Sequence, residues 1–456
     1  MSLKAGAARV DISPGKPAFL VGYPHVPRIS TGVHDPLYAT ALCLRNSSDA
    51  VLFISTDVLF VTHETVRECR RAIHEAVGIQ EGSILISATH THSGPVTFEY
   101  LSMRSDPVVP PPDPEYMAFF ADALVRVGVE AWRKAEPARC SVSCAHAEGV
   151  GGNRLNAGGT ADSEVGILYV IREKDESPLA LSMVYSMHPT VLHEDSTLVS
   201  SDFPGFTRQR IAEELPGVVV LYHTGPAGNQ SPRHHVCGQT FAEAERLGNR
   251  LGNFVVEAVR RIEPKSFDGD PILSARQAFV DLPVRRFVSI EAAERLRVEA
   301  VKRYDDLKLA MAGHGAVRTA ECVVFGAEEL VVLARAQETG EIEDWRRRQL
   351  PAEVQAIRVG DSVWAGLRGE LFVEYGMDIK RRASGQVFPI SLANGELQGY
   401  IVTPEADAAG GYEAACSFYE PAAGRIIVDK ALDVVRDIMG IRLNGKKRLA
   451  GGVSFR

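Results

Sequence analysis

Blocks of apolar residues alternate with amphipathic segments through the first half of the chain, in the order strand and then helix. The run DAVLFISTDVLF (49–60) is typical of a buried strand. The next segment, THETVRECRRAIHEAVG (62–78), is typical of a helix with Thr62 as its N-cap and Gly78 at its end. GSILISATH then predicts another strand, and the proline-rich stretch RSDPVVPPPDPEY can continue neither kind of element.

The rest of the chain continues this mixture. Strands are predicted at 139–147, 165–172, 179–187, 217–224, 353–360, 362–369 and 387–394. Helices are predicted at 115–135, 239–262, 289–312, 371–384 and 428–439. The sequence shows no internal repeat, low-complexity tract or clear linker. We therefore predict one large α/β domain over 1–456, with mixed β-sheets, helices packed outside them and a helical insertion at 285–350.

Composition narrows the classes of partner. The 456 residues are 45% hydrophobic, which allows a sizeable core, yet no window approaches the roughly 20 apolar residues of a membrane helix. The net charge of −8 and the scattered basic residues argue against a nucleic-acid partner. Seven scattered cysteines without a CxxC pair favour reduced thiols and a cytoplasmic location, although a secretion signal already removed would leave the same pattern.

Histidines follow two of the predicted strands. His90 and His92 come at the end of SILISATH, and His188 follows LALSMVYSM. Side chains two residues apart on a strand share a face, so His90 and His92 could serve one site. Neutral imidazole is a good zinc ligand, and neighbouring strand ends often open onto one crevice. With 13 histidines in 456 residues, chance alone gives roughly 0.4 His-x-His pairs, so the pair by itself is a weak motif.

Four further segments carry polar residues, and each also has an ordinary structural interpretation. The segment GPAGNQSPRHH offers backbone N–H groups and the Ser231 hydroxyl, or is simply a tight turn. The segment GGNRLNAGG presents Arg154 to an anionic group or to solvent. Glu370 is either a metal ligand or a carboxylate at a helix N-terminus. Tyr400 and Tyr412 lie in a glycine-rich loop, where tyrosines commonly serve in packing.

Taken together and in order, the motifs resemble the catalytic domain of the neutral/alkaline non-lysosomal ceramidase family. The matching stretches run from residue 5 to about 413: AGAARVDISPG, GVHDPLYATAL, SATHTHSGP, GNR, SMHPTVL with SSDFPGF, AGNQSP, RGEL, and GYIVTPE with GYE. THTHSGP and AGNQSP are the most specific of them. The resemblance implies a zinc-dependent hydrolase that cleaves the amide bond of a small, lipid-like N-acyl substrate.

The resemblance also implies roles for individual residues. Four of them would hold one zinc ion: His90, His188, Glu370 and Tyr400. Four others would form the catalytic site around it: His92, Arg154, Ser231 and Tyr412. In that arrangement His92 would transfer a proton or contact the oxyanion, and Arg154 would contact a substrate oxygen. Ser231 would lie at the reacting carbon, and Tyr412 would line the pocket.

The expected reaction is attack of a zinc-bound water on the amide carbonyl, because zinc lowers the pKa of its water to about 7. Arg154, His92 and the backbone near Gly228 would stabilise the resulting oxyanion. Ser231 as the nucleophile is the alternative. We favour water because the sequence shows no obvious Ser-His-Asp order.

The chain departs from the family pattern at three points. Asn229 follows Gly228 where the family usually has aspartate. LNAGG follows Arg154 in place of the usual Ser-Pro continuation, and the resemblance covers the catalytic domain without the C-terminal β-sandwich of the long ceramidases. These departures bear on ceramide as the substrate more than on the hydrolytic chemistry.

Two other functions stay open at this point. A dinuclear metallohydrolase acting on phosphate or sugar esters would use His34, Asp35 and Asp57 for a second ion. A non-catalytic binding protein on the same scaffold would contain no metal and would turn over no N-acyl substrate. The metal content of the protein separates the three functions.

Overall fold

The computed structural model describes residues 2–440, apart from the side chain of His314. Its strands are β1 (Lys4–Asp11), β2 (Gly32–Val33), β3 (Tyr38–Arg45), β4 (Ala50–Thr56), β5 (Ile84–Ala88), β6 (Glu136–His146), β7 (Gly152–Asn153), β8 (Glu164–Arg172), β9 (Pro178–Tyr185), β10 (Leu198–Val199), β11 (Val219–Thr224), β12 (Gln230–Ser231), β13 (Leu273–Val280), β14 (Ala352–Val359), β15 (Ser362–Leu367), β16 (Glu370–Leu371), β17 (Gln386–Ile390) and β18 (Tyr400–Ile401). Its α-helices are α1 (His63–Val77), α2 (Pro114–Arg133), α3 (Phe203–Glu214), α4 (Phe241–Arg260), α5 (Ile290–Leu309), α6 (His314–Thr339), α7 (Glu341–Gln349), α8 (Val373–Arg382), α9 (Pro404–Ala409), α10 (Tyr412–Ala415) and α11 (Ala422–Ile438). Short 3-10 helices lie at Glu81–Ser83, Leu101–Ser105 and Pro264–Ser266.

Two sheets form the centre of the molecule. The larger has eight strands in the order β11-β9-β8-β6-β1-β3-β4-β5, and only its β11–β9 and β4–β5 pairs are parallel. The smaller has four strands in the order β13-β14-β15-β17, with β15 and β17 parallel. The short pairs β10-β2, β12-β7 and β16-β18 add local pairing between connecting segments. The prediction of an α/β fold with mixed sheets is confirmed.

The two sheets pack face to face, and helices cover their outer surfaces. Strand β3 shows this arrangement, because Ala41 and Cys43 belong to the core beneath α1 and α2. The residues that alternate with them and face the other way, Leu42 and Leu44, pack with Trp364 of the smaller sheet. Strands buried on both faces are expected to be continuously apolar, which is how this one appears in the sequence.

Helices occupy the outer layers on both sides. Helices α1 and α2 cover one half of the larger sheet, and α3 and α4 cover the other half. Helices α8 and α11 cover the smaller sheet. Helices α5, α6 and α7 form the predicted insertion, in which α5 packs along α6 and α6 contacts Leu101–Ser105 and α10.

Local signals located some helix ends well and others poorly. Thr62 caps α1 by accepting a hydrogen bond from the backbone N–H of Thr65, and Gly78 ends the helix with φ 79°. Helix α11, by contrast, begins at Ala422 and not near residue 428 as predicted. The early turn contains Gly424, where a Cβ would lie 2.0 Å from Cζ of Tyr375. Close packing therefore requires a residue that weakens the helical signal in the sequence.

All seven cysteines lie within the described residues. None of the seven cysteines is paired in a disulfide. Within residues 2–440, no helix combines the length and the hydropathy that crossing a bilayer requires.

Candidate metal centre and active site

Three of the predicted metal ligands converge where the two sheets meet. Nε2 of His90 lies 3.2 Å from Nε2 of His188. Oε2 of Glu370 lies 3.3 Å from the first of these nitrogens and 3.1 Å from the second. All three side chains are buried. His90 and His188 follow strands β5 and β9 of the larger sheet, whereas Glu370 follows β15 of the smaller sheet.

Backbone carbonyl groups fix the orientation of the imidazoles around this point. The Nδ1 acceptors are the carbonyl oxygens of Leu59 for His90 at 2.9 Å, Gly22 for His92 at 3.0 Å and Ala227 for His188 at 2.7 Å. Because a carbonyl only accepts, each Nδ1 carries the proton and each Nε2 presents a lone pair. Nε2 of His92 is buried and lacks a hydrogen-bond partner in the part of the chain that the structure describes.

This donor set fits a divalent metal ion. The ligand atoms of His90, His92 and His188 all lie within 4.8 Å of one another, and no other such group of histidine, cysteine or acidic residues occurs among residues 2–440. Burial, together with the charge of Arg154, lowers the pKa of His188 to about 4. Burial and the neighbouring imidazoles also lower the pKa of His92 well below its usual value. Neutral imidazoles are the form that binds zinc.

The two histidines of SATHTHSGP are brought together by a loop and not by the strand that was predicted to carry them. Strand β5 ends at Ala88, so His90 and His92 lie in the following loop and not on one face of a strand. His90 has φ 71°, a left-handed conformation that is uncommon outside glycine and often marks functional sites. Its N–H donates to the carbonyl of Val58 at 3.0 Å. The prediction from strand alternation is therefore wrong, although the ring centroids lie only 5.1 Å apart.

Tyr400 and Tyr412 both reach the cavity above the metal centre. Tyr400 is the parallel partner of Glu370 in the β16–β18 pair, and its ring centroid lies 5.8 Å from that of Tyr412. Burial and the charge of Glu370 raise the pKa of Tyr400 well above its usual value. Both tyrosines thus line the cavity, and their roles as a fourth ligand and as a pocket residue stay predictions.

Arg154 is held beside Tyr400 by a carboxylate that the sequence analysis missed. Its Nε donates to Oε1 of Glu413 at 2.8 Å, and the two side chains are 15% and 8% exposed. Cζ of Arg154 lies 5.3 Å from the centroid of the Tyr400 ring. Nη2 of Arg154 is buried without a hydrogen-bond partner among the described residues, so its N–H groups can be donated to a ligand. The only sequence signal for Glu413 was its place in the GYE motif.

Ser231 lies next to the centre but lacks an activating base. It is buried, and its Oγ accepts a hydrogen bond from the N–H of Arg233 at 3.2 Å. In the described part of the chain, no imidazole or carboxylate forms a hydrogen bond with this hydroxyl. The carbonyl of the preceding residue, Gln230, lies 3.1 Å from Nδ1 of His188. A serine nucleophile would need a base within hydrogen-bond reach.

The loop before Ser231 has a structural role. The N–H of Gly228 donates to the carbonyl of Leu371 at 2.8 Å, so this amide already has a partner, and an oxyanion contact from the backbone near Gly228 stays a prediction. Asn229 links the loop to α8: its Oδ1 accepts from the N–H of Val373 at 3.0 Å, and its Nδ2 donates to Oε2 of Glu374 at 2.9 Å. The departure from the family pattern at this position therefore affects packing of the loop on a helix.

A second carboxylate missed from the sequence fixes the loop that follows His188. Oδ2 of Asp202 accepts hydrogen bonds from the N–H groups of Val191 at 3.0 Å and Leu192 at 2.8 Å. Asp202 has φ 58° and caps α3. Asp202 belongs to the SSDFPGF stretch that carried the family resemblance. Its partners could not be inferred from that stretch, because they depend on how the two loops fold together.

The residues considered for a second ion have other partners. Asp57 forms a bidentate ion pair with Arg208, with oxygen–nitrogen distances of 2.7 and 2.5 Å. Asp35 accepts hydrogen bonds from residues just before α3, and His34 stacks on a phenylalanine ring with centroids 3.7 Å apart. These side chains do not join the imidazole group, which weakens the dinuclear alternative.

The cavity at the candidate metal centre is lined by both polar and aromatic side chains. His90, His92 and Glu370 are among the polar residues that line it. Aromatic side chains from several segments line the walls: Phe60, Phe98, Tyr100, Phe325, Tyr400 and Tyr412. Such a combination is typical of a site that binds an apolar ligand around a few convergent polar groups.

Known proteins share both the sequence pattern and the fold. The family model described as neutral/alkaline non-lysosomal ceramidase, N-terminal, matches residues 4–225. Neutral ceramidase A of Dictyostelium discoideum is 25% identical over 242 residues, which cover 49% of this chain and 34% of that protein. Neutral ceramidase of Pseudomonas aeruginosa is 22% identical over 232 residues, which cover 47% of this chain and 34% of that protein. The match thus spans about a third of the length of these relatives.

Solved structures extend the likeness in fold over nearly the whole chain. The crystal structure of neutral ceramidase from Pseudomonas aeruginosa matches with a TM-score of 0.73 at 17% identity, covering 96% of this chain and 75% of that one. A ceramidase complexed with C2 matches with a TM-score of 0.74 at 16% identity, covering 98% of this chain and 77% of that one. The matched residues 4–225 carry His90, His92 and His188. In its motifs and over residues 4–225 the chain is thus similar to the neutral/alkaline non-lysosomal ceramidases, and its fold is that of the solved ceramidase structures.

Proposed function

We propose that the protein is a zinc-dependent hydrolase that cleaves the amide bond of a lipid-like N-acyl substrate. The observation that carries the proposal is the convergence of three Nε2 lone pairs and the Glu370 carboxylate at a cavity lined by polar and aromatic side chains. The relatives named neutral ceramidases support an amide as the bond that is cleaved. Ceramide is one candidate among the N-acyl lipids.

His90, His188, Glu370 and Tyr400 would hold the ion. When bound, zinc supplies a Lewis-acid charge that polarises the carbonyl and makes water a better nucleophile near neutral pH. The unpaired Nε2 of His92 faces the same point, so the geometry also allows it as a third nitrogen ligand.

The hydrolysis requires that water add to the carbonyl carbon, that the C–N bond break and that the amine leave with a proton. His92 is suited to carry this proton, because its Nδ1–H is donated to Gly22 and its Nε2 can accept from water. The same protonation state makes Nε2 a poor oxyanion donor. We therefore favour proton transfer for His92 over the oxyanion contact that was also predicted.

Arg154 would bind the carbonyl oxygen as it gains negative charge. Its Nη2 lacks a partner among the described residues, and Glu413 orients the guanidinium through Nε. A donor that is already in place when charge develops stabilises the transition state more than the ground state.

The proposal is tested with protein purified in chelator-free buffer and a panel of short-chain N-acyl amines, by measuring the release of free amine. We expect hydrolysis that is lost after treatment with a chelator and restored by Zn²⁺. Hydrolysis that continues unchanged in the chelated protein would exclude the metal. Failure to release amine from any member of the panel with zinc restored would exclude the amidase.

A further inference from the structure

Helix α6 of the insertion forms one wall of the cavity above the metal centre. Phe325 and Glu329 lie four residues apart, and both line the cavity. The helix lies close to α10, because a Cβ on Gly326 would be 2.8 Å from Cβ of Ala415. The insertion therefore contributes side chains directly to the space where a substrate would bind.

Glu329 has no cationic partner within the described residues. Its hydrogen-bond partners are the side chains of Ser102 and Cys416, which also line the cavity. The neighbouring Glu328 differs, because its Oε2 lies 2.6 Å from Nε2 of His25. Burial raises the pKa of Glu329 to about 7, and the charges of Glu370 and Glu328 add to the shift.

A carboxyl in this position requires donors that the protein supplies only in part. Taking a carboxylate out of water is unfavourable unless hydrogen bonds or an opposite charge replace the water. The other charged groups that act on Glu329 are the carboxylates of Glu370 and Glu328, which carry the same charge. Because Glu329 lines the cavity and forms no ion pair within the described residues, a ligand that presents an O–H or N–H group there could donate to its carboxyl group.

From this arrangement we infer that Glu329 recognises a hydrogen-bond-donating group, a hydroxyl or an ammonium, on the amine half of the substrate. The inference rests on the proposed amide hydrolysis. A fatty acyl chain carries no such donor, so the group that Glu329 binds belongs to the other side of the amide bond. Glu329 is thus a specificity residue, distinct from the groups at the metal centre.

Three substrates with one acyl chain and different amine halves test this inference: 2-hydroxyethylamine, 2-aminoethylamine and propylamine. We expect the wild type to favour the two donor-bearing substrates over the propylamine substrate by at least about tenfold in kcat/KM. Glu329→Leu should remove most of this preference. Glu338→Leu is the matched control, because Glu338 lies on the exposed face of the same helix.

The two possible donors are distinguished by a second variant and by pH. In Glu329→Gln the amide oxygen can still accept a hydrogen bond from a hydroxyl, but the charge is gone. The preference for the aminoethyl over the propyl substrate should therefore fall, whereas the preference for the hydroxyethyl over the propyl substrate should be kept. If the donor is an ammonium, the aminoethyl-to-propyl ratio should rise with pH through about 7, because Glu329 ionises there.

The outcomes separate this inference from the proposed function. Equal kcat/KM values for all three substrates in the wild type, or a preference unchanged in Glu329→Leu, would overturn the role of Glu329 and leave amide hydrolysis intact. No cleavage of any substrate by zinc-loaded wild type would instead contradict the proposed function. Melting temperatures and zinc content within error of the wild type show that a variant is folded.

Discussion

At the scale of single residues, the site depends on which nitrogen of each imidazole faces the centre. The sequence was sufficient to single out His90, His188 and Glu370, because each follows an apolar strand-like run in a recognisable motif. It could not indicate that the carbonyl groups of Leu59 and Ala227 accept hydrogen bonds from these histidines, because each lies more than 30 residues away along the chain. Those contacts determine that the histidines present lone pairs to a metal.

Arg154 is a second case in which the sequence indicated a site residue but not the residue that orients it. Its guanidinium was predicted from an isolated arginine in a glycine-rich loop, whereas Glu413, which orients it, lies 259 residues later. Nothing local in either segment indicates that they meet. The pairing requires β7 and β12 to bring the Arg154 loop beside the candidate metal centre, and α10 to bring Glu413 to it.

We predict that Arg154→Ala lowers kcat for N-acyl amide hydrolysis by about 10²- to 10³-fold, since it removes the donor to the developing oxyanion. Glu413→Gln should lower kcat by a smaller factor, about tenfold, because the guanidinium stays but loses its anchoring charge. Steady-state kinetics measure both effects, and Arg126→Ala serves as the control because Arg126 is exposed on α2. Values of kcat within twofold of the wild type for both site variants would contradict the role of Arg154.

At the scale of elements, sequence patterns located most strands and helices but not the contacts between them. Thr62 and Gly78 mark the ends of α1 through hydrogen bonds and backbone conformations that are local. The start of α11 was missed because Gly424 is required by packing on Tyr375. Similarly, the sequence showed only that Asn229 replaces the aspartate usual in the family, whereas in the structure its amide joins the AGNQSP loop to the first turn of α8.

Replacing Asn229 with the aspartate usual in the family should destabilise this chain. In Asn229→Asp, the donor to Glu374 is lost and two carboxylates face each other, which should lower the free energy of unfolding by about 1–3 kcal/mol. The double variant Asn229→Asp with Glu374→Gln should recover much of the loss, because the new amide can donate to the aspartate. Urea denaturation measures these values. Equal stability of Asn229→Asp and the wild type would show that the Asn229–Glu374 contact contributes little.

At the scale of the whole molecule, the candidate metal centre joins the two sheets. His90 and His188 follow strands of the larger sheet, and Glu370 follows a strand of the smaller one. The sequence predicted an α/β fold but not the face-to-face packing of the sheets, because strands buried on both faces carry no alternation that distinguishes one neighbour from another. A bound ion would connect the two sheets through its ligands, and its presence is the central claim of the proposed function.

The most direct test of that claim is the metal content of the protein, measured by elemental analysis after purification without chelators. We predict about one zinc ion per chain in the wild type, the stoichiometry of a mononuclear site. His188→Ala should lose the ion, whereas His146→Ala should keep it, because His146 is exposed at the end of β6. A wild type with no metal or with two ions per chain, or a His188→Ala variant that still binds one, would contradict the account.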